Sequence, residues 1–109
     1  MIEIHWTSGS IDEARKVSRY LVGKKLVAQA QIIPWIESIS LWDEQVQTAQ
    51  ESKVIFKTTH ECLDEIKQEI EKNCKYQVPE ITCFQVDNVN QEYSKWLQNS
   101  MKINKTEES

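Results

Sequence analysis

Residues 27–42, VAQAQIIPWIESISLW, decide how this chain folds. Beta-branched residues are frequent here, acids are rare, and a proline stands in the middle. Apolar residues alternate as Ala28, Ala30 and Ile32 before Pro34, and as Ile39 and Leu41 after it. A period of two marks a strand with one face against a core. The parity changes across Pro34, so the inward face changes there. Proline gives no N–H to a sheet ladder and is confined to edges and bulges. The stretch therefore reads as one long strand bent or bulged at Pro34, with Ile39 and Leu41 turned inward beyond the bend. Asp43-Glu44-Gln45 makes the turn, and the return strand runs through Val46 to KVIFK, residues 53–57. Both arms of this long hairpin are expected to need cover, because unpaired ladder groups invite another chain. The hairpin thus leaves two states open, pairing of strands between subunits and a monomer.

Working outward, IEIHW at residues 2–6 is a first strand that ends in the turn cluster T-S-G-S. Ser10 stands three residues before Glu13, a capping-box spacing, and Ile11, Ala14, Val17 or Ser18, and Leu21 repeat at helical intervals. Asp12 and Glu13 at the start, with Lys24 and Lys25 near the end, suit the helix dipole. Thr58 and Glu61 have the spacing of a second capping box, followed by Leu63, Ile66, Ile70 and Cys74 on a second amphipathic helix. EITCFQV, residues 80–86, is nearly continuous apolar and reads as a central strand buried on both faces. Tyr93, Trp96, Leu97 and Met101 give a short third helix. KINKTEES at 102–109 is polar and aperiodic, the composition of a disordered tail behind a single domain of residues 1–101. The order of elements is that of an α+β, ferredoxin-like split βαβ sandwich with a long β-hairpin and an extra C-terminal helix.

Composition removes several functions. Net charge is −4 with acids and bases interspersed, whereas nucleic-acid binding needs a basic face; no nucleic-acid or membrane partner is expected. No apolar run approaches the ~20 residues of a membrane span. The N-terminal MIEIHW lacks the blocks of a signal peptide, which reads as cytoplasmic. Cys62, Cys74 and Cys83 are odd in number, widely spaced and without a C-x-x-C, so they read as reduced thiols, partly core.

The fold hosts several chemistries, and the residues oppose most of them. A metallochaperone needs two close cysteines in the first loop, where T-S-G-S stands. RNA recognition needs aromatics on central strands in basic surroundings; Phe56 lies between Lys53 and Lys57, but the chain is acidic. An acylphosphatase needs an arginine cradle, and Arg15 and Arg19 are one turn apart on what reads as the solvated side of the first helix. His5 reads as a half-buried strand histidine satisfied by the backbone, and His60 as a surface residue in the first turn of a helix. Neither belongs to a ligand spacing, and no cysteine has a neighbouring base. The chain is accordingly read as a non-enzyme. Trp35, Trp42, Tyr76, Tyr93 and Trp96 fall at strand ends, in loops or on the last helix. Such aromatics suit a satellite core or a subunit interface.

One further pattern is more specific. The spacing of Thr7, Ala14, Leu21, Leu26-Val27-Ala28, Ile33, Ser38, Trp42, Glu51, Lys57-Thr58-Thr59, Tyr76-x-x-Pro79-Glu80-Ile81, Val86 and Tyr93-x-x-Trp96-Leu97 resembles the CutA divalent-cation tolerance family over residues 2–98. The resemblance implies a homotrimer held by the hairpin and C-terminal segment, a role in tolerance of divalent metals such as copper, and structural kinship with the PII signalling trimers, which bind small ligands between subunits. It marks Trp42, Lys57, Tyr76, Pro79, Glu80, Tyr93 and Trp96 as residues of an intersubunit cleft or interface. The metal ligands depart from the family pattern. Trp6 stands where the family usually has cysteine, Gln29 and Gln31 replace the polar members of its A-C-x-N, and Ser40 replaces the tyrosine of its S-x-Y-x-W. Val89 stands for the usual glycine of the last loop, and Asn73, Cys74 and Lys75 stand where histidines and a proline are frequent. Cys74 is then the single candidate metal ligand, and a divalent metal such as copper the single candidate cofactor.

Overall fold

The computed structural model describes residues 1–101; the expected tail at 102–109 lies outside the described residues. The elements are β1 (Ile2–Ser8), α1 (Ile11–Gly23), β2 (Gln29–Trp42), β3 (Gln45–Thr58), a 3-10 turn (His60–Cys62), α2 (Leu63–Asn73), β4 (Glu80–Gln85) and α3 (Gln91–Ser100). The four strands form one antiparallel sheet in the order β2-β3-β1-β4. This is the α+β arrangement expected. Alternation builds the core: Ile2, Ile4 and Trp6 of β1 and Val54 and Phe56 of β3 face Ala14, Val17 and Leu21 of α1 and Ile66 and Ile70 of α2. Leu97 of α3 and Met101 just beyond its end close it.

The bulge falls at Pro34. Ile33 pairs with Lys53 and Ile36 with Glu51, so Pro34 and Trp35 together oppose Ser52 alone. The buried Ser52 Oγ donates to the Pro34 carbonyl at 2.7 Å, which gives the irregular backbone a partner. At the tip, Asp43 and Glu44 have φ of 50° and 63°, the two left-handed residues that a tight two-residue hairpin turn needs.

Beyond the bulge the expected inward face fails. Ile39 and Leu41 are 64% and 67% exposed, and Val46, directly across from Leu41, is 73% exposed. The reason is length. Each hairpin arm has 14 residues, about 46 Å of strand, whereas the 13 residues of α1 reach only about 20 Å. The hairpin outruns the helices that would cover it. The pattern was right about the face and silent about what lies against it.

Four other expectations are corrected. β4 is an edge strand and not a central one: it pairs only with β1, and Cys83 and Phe84 are exposed. Of the two hairpin arms only β2 is an edge, because β3 lies between β2 and β1. The second capping box does not form. Thr58 still belongs to β3, and its hydroxyl donates to the Leu26 carbonyl at 2.6 Å; Thr59 precedes the 3-10 turn without a side-chain capping bond, its hydroxyl donating to Cys62 Sγ at 3.8 Å. His5 is bonded to its neighbour Glu3 (Nε2 to Oε1, 3.0 Å) and not to the backbone.

Candidate functional site

The expected site residues fall into separate sets of contacts within one subunit. In the first set, Tyr76 reaches back from the loop after α2 to the start of the free hairpin, where its hydroxyl donates to Glu51 Oε2 at 2.6 Å. Trp42, Tyr76 and Glu51, with Ser40, Gln47 and Ala49, line a cavity of about 460 Å³ on the sheet face opposite Ile39 and Leu41. The Tyr76 hydroxyl is pushed up to about 12, chiefly by its bond to the Glu51 carboxylate and then by burial. Two other contacts hold this loop. Lys75 N donates to Glu13 Oε1 at 2.6 Å, while Ser8 Oγ donates to Glu13 Oε2 at 2.8 Å. The Tyr76 ring also lies on Gly9, where an added Cβ would come within 2.8 Å of Cζ.

The second set lies near the other end of β3. Lys57 Nζ sits 5.6 Å from the centre of the Tyr93 ring, Tyr93 Oη donates to Gln29 Oε1 at 3.1 Å, and Trp96 packs tilted on Tyr93 at 5.3 Å between centroids. Burial, then the nearby Glu3, raises the Tyr93 hydroxyl above its usual range. Glu80 belongs to neither set. Its carboxylate accepts from Thr7 Oγ1 at 2.8 Å across the β1–β4 pair, and Pro79 is half-buried just before it. Trp42 and Tyr76 thus share a cavity that Glu80 and Trp96 do not line.

Cys74 ends α2 half-buried against the core, and among the described residues no group of three or more His, Cys, Asp or Glu converges on a metal position. Among the described residues the thiol therefore belongs to no such group of donors. His60 is exposed, as expected.

Comparison with known proteins decides what these residues belong to. The family model described as CutA1 divalent ion tolerance protein matches residues 2–100. The chain belongs to the CutA1 family. Over 91% of its length it is 31% identical to the protein described as chloroplastic CutA 1 of Oryza sativa subsp. japonica, of which it spans 56%. It is 33% identical over 84% of its length to the divalent-cation tolerance protein CutA of Thermus thermophilus, of which it spans 88%. The crystal structure of CutA1 from Oryza sativa superposes with a TM-score of 0.87 at 31% identity, covering 93% of each chain. The chain spans about half the length of the plant relatives it matches.

Within this CutA1 subunit the departures from the family pattern gain a physical meaning. Trp6, where the family usually has cysteine, is fully buried and stacked on Phe56 at 6.3 Å. A core side chain holds that position and no ligand can reach through it. Glu51 and Glu13 carry the loop of Tyr76, yet sequence reasoning used the first only as a family position and the second only as a helix cap. Gly9 offered a signal. It is one of two glycines in the chain, and it has no positive φ, which leaves close approach of a ring as its reason.

The Tyr76–Glu51 contact has a pH signature. Folding raises the tyrosine pKa from about 10 to about 12, so the bond contributes its full stability below pH ~10 and loses it as pH rises through 12. In a spectrophotometric titration of tyrosinate, Glu51→Gln is expected to bring the highest-titrating tyrosine down toward 10, and Tyr76→Phe to remove that component. An unchanged titration curve in both variants would contradict the contact.

Proposed function

We propose that this chain works as a homotrimer in tolerance of, or response to, divalent metal ions; the names of its relatives describe divalent-ion tolerance for them. The observation that carries the assembly is the bare apolar face of the hairpin, Ile39, Leu41 and Val46, beside an open β2 edge. β4 leaves a second open edge on the opposite side of the sheet. Two different edges on one subunit make a head-to-tail contact, and such contacts close into rings when the rotation allows it. Mass in solution tests this: three times the 12.8 kDa of the chain is expected, and a monomer at micromolar concentration sinks the reading.

The metal side rests on Cys74 alone, since the family's other soft ligands are replaced. One thiol per subunit makes a site only where several subunits bring theirs together. Titration with Cu⁺ and Cu²⁺ is expected to show nothing tighter than roughly micromolar; tight binding that vanishes in Cys74→Ser would overturn this and put copper on the thiol. A second reading is favoured by the cavity of Trp42, Tyr76 and Glu51, which lies on the free hairpin. In it the trimer is a PII-like signalling protein that binds a small ligand between subunits. Ligand-dependent thermal shifts would distinguish it, because a ligand that binds only the native state raises its stability by mass action. No described helix is long and apolar enough to cross a membrane. A cytoplasmic location and a non-catalytic role belong to the same proposal.

A further inference from the structure

A cavity of about 520 Å³ lies on the other side of the subunit, between α1 and the base of β2. It falls within the ~300–1,000 Å³ of ordinary small-molecule sites. Its walls are apolar, from Val22 on the helix and Ala30 and Ile32 on the strand. Arg15 and Arg19 stand on the same wall one helical turn apart, exposed. Among the described residues neither guanidinium has an ion pair or hydrogen bond. Two like charges at i, i+4 repel on a helix, and an anion between them would remove the repulsion. Ser18, between the two arginines in sequence, lines the same cavity; its hydroxyl is buried and has no partner.

We infer that this cavity binds an amphipathic organic anion, a single carboxylate or phosphate group on an apolar chain. The orientation follows from electrostatics. The carbonyl end of α1, at Gly23, repels negative charge, so the headgroup lies toward Arg15 and Arg19, where planar guanidiniums match carboxylate or phosphate oxygens in pairs. The apolar chain then runs along Ala30, Ile32 and Val22 to Gly23. A Cβ added at Gly23 would meet nothing within 4 Å, so the far end of the cavity is open.

The test is titration calorimetry of the full chain with octanoate and with octyl phosphate; octanol and inorganic phosphate supply the tail and the charge separately. Saturable binding of at least one octyl anion is expected, with Kd below about 1 mM, and the tighter of the two identifies the headgroup. Octanol and inorganic phosphate are expected to bind at least about tenfold more weakly. Arg15→Gln with Arg19→Gln is expected to weaken the octyl anion about tenfold or more. Gly23→Leu, which fills the open end without touching either charge, is expected to weaken it similarly. Both changes are at exposed positions, so folding is retained and circular dichroism checks it. Absence of saturation by either octyl anion overturns the site, as does a Kd unchanged by the arginine pair or by Gly23→Leu. A result in which octanol binds as well as octanoate overturns the anion.

Discussion

Changing Ile39 and Leu41 together to aspartate is expected to leave a folded chain that sediments as a 12.8 kDa monomer. The two residues lie on one face of β2, and Leu41 stands directly opposite Val46 on β3. All three are about two-thirds or more exposed in the subunit. Burying one such side chain contributes roughly 1.5–3 kcal/mol, and the double change removes two from every subunit. It also places unpaired carboxylates in the contact, which costs more than the lost burial alone. With three subunits the loss is multiplied, so dissociation should be complete at micromolar concentration. Stability within the subunit should change little, because neither side chain reaches the core of Ile4, Phe56 and Ile66. A variant that unfolds, or one that stays a trimer, would contradict the assignment of this face to assembly.

That experiment also shows what the sequence made legible. The order of elements and the Pro34 bulge follow from local chemistry, and they appear as read. The misreadings at Ile39, Leu41 and β4 share one cause. Alternation and apolar runs report that a face is meant to be buried, but they do not say whether the cover comes from the same chain. Phe84 and Leu41 carry the signal of a core and lie at the surface of the subunit. The site was less legible for a different reason. Tyr76 and Glu51 are 25 positions apart, and Glu13 and Lys75 are 62 apart. Pairings at such separations depend on how the loop after α2 lies across the β1–α1 turn, and no local pattern encodes that. Arg15 and Arg19 were correctly placed on the exposed side of α1. What their surroundings hold could be seen only once β2 was set beside the helix.

Trp6→Ala is expected to cost about 3–5 kcal/mol of stability, a large share of the ~5–15 kcal/mol that holds an ordinary domain. Trp6 is the largest fully buried side chain, stacked on Phe56 and flanked across the sheet by Val54 and Ile81. A cavity of that size cannot collapse easily, because β1 is paired on both sides and its backbone cannot shift inward. Trp6→Phe should behave differently. The indole Nε1 is buried without a hydrogen-bond partner, and such an orphan donor itself costs about 1–3 kcal/mol. Phenylalanine loses some packing volume but removes that donor, so the net cost should stay below about 1.5 kcal/mol. Both should be measured by urea unfolding in the Ile39→Asp, Leu41→Asp background, where assembly no longer adds concentration-dependent stability. Equal losses in the two variants would mean that the indole N–H is satisfied in solution, by a buried water or otherwise. A loss under 1 kcal/mol for the alanine variant would mean that the core does not depend on this ring. The same position bears on metal binding. Because the ring is held in the core by Phe56 and by neighbours on both flanking strands, Trp6→Cys would restore the thiol that the family usually has there only at a cost close to that of alanine.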